Sequence, residues 1–256
     1  MEKRDLPVAV FDSGVGGISV LRELVRLMPQ ENYYYFGDSI HAPYGTKKPE
    51  EIRRLTLENT AHMEAKGMKA LVVACNTATS TAIAALREKY TDIPVVGIEP
   101  AVKPAVMEKE HPKVLVMATP MTVQAAKFRN LMERFENRAA VIPLGCPGLM
   151  EFVEAGKLEG PEVEAYLQKL LSPYCSGDLD AVVLGCTHYP FLRRAIAKVL
   201  GDGPHILDGS EGTARELKRR LTEMDLMTGR REKGQVIFEE SIPEKIELCH
   251  FLLNCK

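Results

Sequence analysis

Two cysteines occupy matching positions in two similar segments of the chain. Residues 70–77 read ALVVACNT and residues 181–188 read AVVLGCTH, so Cys75 and Cys186 each end a largely apolar run and precede polar residues. A free thiol has a pKa of about 8.5, and a helix N-terminus or an imidazolium lowers it, so one cysteine can be a thiolate while the other stays protonated. Two such groups flanking one carbon can remove a proton from one face and supply one to the other. That exchange inverts the centre and needs no cofactor.

The cysteines of this chain do not fit the other common roles of cysteine as well. The six cysteines are Cys75, Cys146, Cys175, Cys186, Cys249 and Cys255. No CxxC occurs, and Cys186 with His188 offers only two neighbouring ligands, so no metal site is expected. The arginine of a CxxxxxR phosphatase loop is absent, since Thr81 and Leu192 stand six residues after the two matched cysteines. A reducing compartment disfavours a disulfide between them. Plain burial in the core is the alternative to chemistry.

Small polar residues beside these strand ends can hold a carboxylate. Residues 12–17 read DSGVGG, but Ser19 stands where the third glycine of GxGxxG belongs, and no GK[ST] occurs, so neither nucleotide-binding loop is predicted. The glycines allow a tight strand-to-helix turn whose backbone amides, with the Ser13 hydroxyl, can bind an anion. Similar polar residues, each expected to precede a helix, are Asn76, Thr77 and Thr187. Helix capping is the alternative interpretation.

Two titratable side chains are candidates to manage the protons of these thiols. His188 can assist Cys186, and Asp12 can do the same near Cys75, each by tuning or relaying the thiol proton. Such help is needed because a carbanion next to a carboxylate is poorly stabilised. A purely structural role is the alternative for both side chains.

The elements that must position these residues alternate between short β-branched runs and longer helical patterns, which predicts an α/β fold with parallel strands. Strands are predicted over residues 7–11, 32–36, 69–74, 93–98, 113–117, 139–143, 181–185 and 205–207. Helices are predicted over residues 49–66, 161–171 and 212–224. Ligands of open parallel sheets bind beyond the carboxyl ends of the strands, which is where Asp12, Ser13, Asp38 and both cysteines fall.

The cysteine segments belong to a longer internal repeat. Residues 8–13 (VAVFDS) match residues 114–119 (VLVMAT) at an offset of 106, and residues 95–96 match 206–207 at an offset of 111. We therefore expect two pseudo-symmetric lobes, each with a mainly parallel sheet flanked by helices, and an active site in the cleft between them. The predicted lobes are residues 1–98 plus 212–256, and residues 99–211. Chance similarity among α/β crossovers is the alternative.

Composition excludes several classes of protein. Of the 256 residues, 45% are hydrophobic and 27% charged, which is the balance of a globular protein with one large or two small domains. The formal charge of −2 gives no general attraction to nucleic acid or to an anionic membrane. The uncharged stretch 70–86 is polar in part and too short to span a bilayer, and the N-terminus does not resemble a signal peptide. We expect a cytoplasmic protein.

Four motifs in order resemble the aspartate/glutamate racemase family over residues 7–210. These motifs are DSGVGG at 12–17, GD at 37–38 with PYG at 43–45, ACNTA at 74–78 and GCTHYP at 185–190. The resemblance implies an isomerase that interconverts L- and D-glutamate without a cofactor and supplies D-glutamate for peptidoglycan synthesis, and thereby for cell wall biogenesis and cell shape. It also implies a homodimer, while the charge of −2 already predicts no nucleic-acid and no membrane partner.

The resemblance also assigns roles to residues. Cys75 and Cys186 become the catalytic thiols, with Asp12 and His188 as their catalytic neighbours. The implied substrate-binding residues are Asp12, Ser13, Tyr44, Gly45, Asn76, Thr77, Thr187 and His188. Further candidates are Asp38, Glu154 and Thr119. At His41 many family members have an arginine, so we expect different local electrostatics there.

Two other kinds of function stay open at this stage. One is a sister activity, namely racemization of aspartate or hydantoins, or decarboxylation by a single thiol, which the two-cysteine pattern disfavours. The other is a two-lobed binding or regulatory protein that captures a small carboxylate, in which both cysteines would be dispensable. The basic clusters at residues 218–220 and 230–231 are short and typical of solvated faces, so no nucleic-acid partner is expected.

Overall fold

The computed structural model describes residues 2–175 and 177–255. Its strands are β1 (Val8–Asp12), β2 (Tyr33–Gly37), β3 (Ala70–Val73), β4 (Val95–Gly97), β5 (Lys113–Ala118), β6 (Ala140–Gly145), β7 (Ala181–Leu184), β8 (His205–Asp208) and β9 (Val236–Glu240). Its α-helices are α1 (Ile18–Leu27), α2 (Pro49–Ala65), α3 (Asn76–Lys89), α4 (Val102–Met107), α5 (Pro120–Gln124), α6 (Ala126–Glu133), α7 (Leu149–Glu154), α8 (Pro161–Leu171), α9 (Arg193–Leu200), α10 (Ser210–Glu223) and α11 (Ile246–Asn254).

The chain divides into two compact units, each built on one sheet. The first unit runs to Glu99 and resumes at Ser210, and the second is Pro100–Gly209. The first sheet has the strand order β4-β3-β1-β2-β9 and the second has β6-β5-β7-β8, with every neighbouring pair parallel. β1, β2 and β3 are buried along their whole length, as strands covered on both faces must be. The predicted α/β class is confirmed.

Strand order and register confirm the internal repeat. Without β9, the order β4-β3-β1-β2 of the first sheet is repeated as β8-β7-β5-β6 in the second. In the first unit Val8 pairs with Ala70, and in the second Val114 pairs with Ala181. Val8 and Val114 are separated by the offset of 106 that relates the two first strands. Ala70 and Ala181 are separated by the offset of 111 that relates the two cysteines. The strand order and the register therefore agree with the repeat seen in the sequence.

The predicted elements are present with small shifts, and the C-terminal region adds others. All eight predicted strands form, with ends that move by at most two residues, and the helix predicted from residue 212 begins at Ser210. No element is predicted after residue 224, whereas the structure has β9 and α11. β9 is a short edge strand with an exposed Ile237 and two terminal glutamates, so it lacks the apolar run that marks the central strands.

A buried ion pair ties the C-terminal region to the rest of the first unit. Lys69 and Glu31 are both buried and form a salt bridge. The Lys69 amine also donates to the Arg4 carbonyl at 2.6 Å, and the Thr228 amide donates to Glu31 Oε1 at 2.9 Å. A buried pair is tolerated only when further hydrogen bonds complete it, and here those bonds join the start of the chain to the segment before β9. Within the described part of the chain, no helix is both long and apolar enough to cross a membrane.

Candidate active site

Cys75 lies at the carboxyl end of β3 and caps the helix that follows. Its Sγ accepts from the Ala78 amide at 3.4 Å, and its carbonyl accepts the first α-helical bond, from the Thr79 amide at 2.9 Å. The Ser13 hydroxyl lies 3.3 Å from the same sulfur. Both side chains are buried. The thiol therefore faces a hydroxyl and the positive end of a 14-residue helix, two features that favour a thiolate.

Asp12 is completely buried between the ends of the central strands. Its Oδ2 accepts from the Gly14 amide at 3.1 Å, and its carbonyl accepts from the Asp38 amide at 3.0 Å. A Cβ at Gly17 would lie 2.6 Å from the Asp12 Cβ and 2.9 Å from that of Ala74, so glycine is required there for the turn to close over the aspartate. The predicted tight turn after the first strand is present.

Asp38 accepts hydrogen bonds from three side chains in the loop after β2 and on α2. Its Oδ2 accepts from the Tyr44 hydroxyl at 2.7 Å and from the Asn59 amide at 2.9 Å, and its Oδ1 lies 2.8 Å from His41 Nδ1. Burial raises the pKa of Tyr44, and the neighbouring carboxylate of Asp38 and the charge of Cys75 raise it further. Tyr44 therefore stays a neutral donor that lies near the thiol.

Asn76 and Thr77 open α3 directly after Cys75. The side-chain oxygen of Asn76 is buried and has no hydrogen-bond partner among the residues that the structure describes. A buried polar atom is normally paired, so an unpaired acceptor beside the Cys75 thiol suits a bound donor such as an ammonium group. The Thr77 carbonyl accepts from the hydroxyls of Ser80 and Thr81 in the next turn of the helix.

Cys186 of the second unit is backed by a histidine and a glutamate. Its Sγ lies 3.7 Å from His188 Nδ1, and His188 Nε2 lies 2.7 Å from Glu154 Oε1. Burial lowers the pKa of His188, but the sulfur of Cys186 and the carboxylate of Glu154 outweigh that effect and raise it to about 10. The imidazole is therefore charged at neutral pH, and it offers one N–H to the thiol and the other to Glu154.

A tyrosine joins the loop of Cys186 to the loop that leads to Glu154. The Tyr189 hydroxyl, fully buried, donates to the Cys146 carbonyl at 3.1 Å, just before the turn into α7. Burial raises the pKa of Cys146 to about 12, with a further contribution from the charge of Cys186. Cys146 thus stays a protonated thiol and is a poor nucleophile at neutral pH, although it lies near Cys186. Thr187 is buried in the same loop.

The helix expected directly after Cys186 does not begin there. The Tyr189 amide bonds to the Cys186 carbonyl at 3.0 Å, a 3-10 turn spans Tyr189–Leu192, and α9 starts only at Arg193. Pro190 is the cause, because it stands four residues after the cysteine, where Thr79 stands in the first unit, and has no N–H to make the α-helical bond. The helix expected to follow Thr187 is therefore α9, which begins at Arg193 after the 3-10 turn.

Thr119, the counterpart of Ser13 in the repeat, caps a helix. Its Oγ1 accepts from the Thr122 amide at 3.3 Å and lies 2.8 Å from the Thr122 hydroxyl. Among the other cysteines, Cys249 is buried and donates to Glu240 in the first unit, whereas Cys175 is exposed. In the described residues, no three His, Cys, Asp or Glu side chains lie together in a way that could hold a metal ion.

Some residues around these sites were not anticipated. Asn59 and Tyr189 hold candidate residues in place, yet each is a single polar residue within or beside a helix. Tyr189 lies in the GCTHYP motif, which was a usable signal. Asn59 carries no such signal, since its role depends on the packing of α2 beside the loop after β2.

Comparison with known proteins agrees with the motifs. The family model described as Asp/Glu/hydantoin racemase matches residues 12–217. The chain belongs to this family. The chain is 49% identical over 255 residues to a glutamate racemase of Clostridium perfringens, a match that covers 99% of the chain and 98% of the relative.

Solved structures of the racemase family share the fold. The glutamate racemase of Thermus thermophilus, solved with β-chloro-D-alanine, is 36% identical with a TM-score of 0.82, covering 99% of this racemase and 94% of that chain. The Escherichia coli glutamate racemase, solved with L-glutamate and the activator UDP-MurNAc-Ala, is 33% identical with a TM-score of 0.84, covering 96% and 94%. The expected fold, of two parallel-sheet α/β lobes, is that of these enzymes.

Proposed function

We propose that the protein is a glutamate racemase that interconverts L- and D-glutamate without a cofactor. The observation that carries this proposal is the full-length identity of 49% to a glutamate racemase, with a cysteine at the same strand end of each half of the repeat. The cysteines do not resemble spare core thiols, since each has a polar partner suited to handling a proton: Ser13 at Cys75 and His188 at Cys186.

In the proposed reaction, Cys75 and Cys186 act on opposite faces of the α-carbon. One thiolate takes the α-proton, and the C–H electron pair moves into the carboxylate to give an enediolate-like anion. The other thiol then delivers its proton to the opposite face, so the two sulfurs exchange protonation states. In the reverse direction they exchange roles, which is why both must be held ready for either task.

The substrate-binding residues that we propose divide between the two units. In the first unit, Asn76 supplies a buried acceptor that fits the ammonium group, and Tyr44 with Gly45 forms part of the loop beside Cys75. The remaining proposed contacts are Asp12, Ser13 and Thr77 in the first unit and Thr119, Thr187 and His188 in the second. Hydroxyls and backbone amides bind a carboxylate without an excess of positive charge that would tie up the thiolates. Asp38 and Glu154 act through Tyr44 and His188.

The wider setting is part of the same proposal. D-glutamate is an amino acid of peptidoglycan, so we propose that the enzyme supplies it in the cytoplasm for cell wall synthesis. We further propose a homodimer. Sedimentation at several concentrations tests the dimer, with a single monomeric species as the contrary result.

The decisive experiment is incubation of the purified protein with L-glutamate in D2O, without pyridoxal phosphate, with optical rotation and α-deuterium followed together. We expect the rotation to decay to zero and deuterium to enter D-glutamate, while L-glutamate recovered early stays largely protiated because the delivered proton comes from the second thiol. Aspartate and a hydantoin serve as parallel substrates. Faster turnover of either would reassign the substrate, and binding of glutamate without exchange would favour a carboxylate-binding protein.

A further inference from the structure

The loop after β2 carries the proposed substrate contacts Tyr44 and Gly45, but it has little regular structure of its own. It consists of two 3-10 turns, Ser39–His41 and Tyr44–Thr46. One anchor is the end of β9, where the Ser241 amide donates to the Gly37 carbonyl at 3.0 Å and the Ser241 hydroxyl accepts from the Ile40 amide at 2.9 Å. That anchor holds the first turn. In the second turn the Tyr44 ring is buried beside Phe11, with ring centroids 6.3 Å apart, so its hydroxyl and backbone are what further hydrogen bonds must position.

Asn59 connects this second turn to a rigid helix. Its Nδ2 lies 2.9 Å from Asp38 Oδ2 and 3.3 Å from the Tyr44 hydroxyl, which itself donates to that carboxylate oxygen at 2.7 Å. Asparagine, carboxylate and phenol therefore form a closed triangle. Asn59 stands in the third turn of the 17-residue α2, whose buried face, including Leu55 and Met63, fixes the helix against the core of the unit.

We propose that Asn59 is a positioning residue for racemization, because its amide locks Asp38 and Tyr44 into the arrangement that presents the Tyr44–Gly45 backbone to the substrate beside Cys75. The inference rests on the proposed function and deepens it. Asn59 touches neither thiol in this arrangement and acts through the loop. The carboxylate of Asp38 is then an acceptor that organises donors, with His41 on its other oxygen at 2.8 Å.

The chemistry of the triangle specifies the side chain at position 59. Asp38 Oδ2 requires a donor there, and aspartate in place of Asn59 would set a second carboxylate against the first. Two carboxylates at hydrogen-bond distance cannot both ionise freely, so one of them takes up a proton as the pH falls. A shared proton would restore the hydrogen bond that the amide makes, so the pH dependence reports directly on this contact.

The test compares Asn59→Ala, Asn59→Asp and the control Glu58→Gln, whose residue is exposed on the same helix and paired with Arg54. Racemization of L-glutamate is measured from pH 6 to 9 and expressed relative to the wild type at each pH. For Asn59→Ala we expect kcat/KM to fall about tenfold to a hundredfold, chiefly through KM, with Glu58→Gln within twofold of the wild type. Asn59→Asp, which preserves the shape of the side chain if the alanine variant misfolds, should be weak at pH 9 and recover at least threefold toward pH 6.

Three results would overturn the inference. One is an Asn59→Ala enzyme within twofold of the wild type in kcat/KM. Another is an Asn59→Asp enzyme whose activity relative to the wild type stays flat across the pH range. The third is a wild-type protein that does not racemize glutamate, which would remove the proposed function together with this inference. The first two results can be obtained only if the wild type is active. Failure of this inference can therefore be distinguished from failure of the proposed function.

Discussion

The two cysteines occupy equivalent positions in a repeated fold, yet the two units support them differently. Cys75 caps a long helix and faces a neutral hydroxyl, whereas Cys186 precedes a 3-10 turn and faces a charged histidine held by a glutamate. A helix N-terminus and an imidazolium both stabilise a thiolate, so the two units meet one requirement by different means.

One residue explains much of this divergence. The Thr79 amide donates to the Cys75 carbonyl four residues earlier, so α3 begins directly after Cys75. Pro190 stands at the matching position after Cys186 and has no N–H to make that bond. Without a helix N-terminus at Cys186, the stabilising charge has to come from a side chain, and the same loop provides His188. The two strand ends therefore share the position of the cysteine but differ in the groups that surround its sulfur.

The largest expected effect is the loss of either sulfur. Cys75→Ala and Cys186→Ala should each lower kcat for racemization by about 10³-fold or more, since a two-base reaction has no substitute for a missing acid or base. The measurement is the loss of optical rotation of L-glutamate. Cys175→Ala, which changes an exposed cysteine, is the matched control and should behave as the wild type. Normal racemization by either of the first two variants would end the two-thiol mechanism.

The next prediction separates the partners of the two thiols. His188→Asn removes a charged partner and should lower kcat/KM about a hundredfold, whereas Ser13→Ala removes a neutral one and should cost about tenfold or less. Enantiomers have equal free energy, so each loss must be the same in both directions. The α-deuterium isotope effect on kcat/KM should nevertheless rise for one enantiomer in the His188 variant and for the opposite enantiomer in the Ser13 variant. A rise for the same enantiomer in both would contradict separate roles for the two thiols.

The sequence predicts those features of the fold and the site that depend on neighbouring residues, and not those that depend on contacts between distant ones. The strands, the repeat and the cysteine positions follow from local sequence patterns. The register of the paired strands has the same offsets as the sequence repeat. Pro190 is part of the sequence, but the later start of α9 that it causes was not predicted. The similarity of the two cysteine segments suggested that a helix follows each of them in the same way. Asn59 and β9 could not be predicted for another reason. The proposed role of Asn59 depends on how α2 packs beside a loop, and β9 forms at the edge of a sheet, so no local sequence pattern indicates either.

The charge on His188 should make racemization depend on pH. The pKa of His188 is raised from 6.5 to about 10, so its imidazolium persists through neutral pH and is lost as the pH rises through about 10. The raised pKa also contributes folding stability that is complete below about pH 6.5 and disappears toward pH 10. Glu154→Gln removes one of the groups that hold the proton, so the alkaline limb of the kcat profile should move down by about one pH unit.

The control for that shift is a glutamate–histidine pair on the surface of the second unit. Glu108→Gln breaks the contact between Glu108 and the exposed His205, 3.1 Å apart, and should leave the kcat profile unchanged. Profiles measured from pH 6 to 11 in buffers of constant ionic strength decide the matter. An alkaline limb at the same pH in the Glu154 variant and the wild type would show that the carboxylate does not hold the proton on His188.

The smallest expected effect concerns the residues that directly follow β1 and β5, Ser13 and Thr119. Thr119→Ala should lower the free energy of unfolding by about 1 kcal/mol because it removes the side-chain cap of α5, and Thr119→Ser should restore most of that loss. Ser13 does not cap α1, whose N-cap is Gly17, so Ser13→Ala should lose activity without the same loss of stability. Urea denaturation of the three variants measures the difference. Equal destabilisation by Ser13→Ala and Thr119→Ala would mean that both hydroxyls serve the fold alike, and the contrast between a hydroxyl that faces a thiol and one that caps a helix would then be lost.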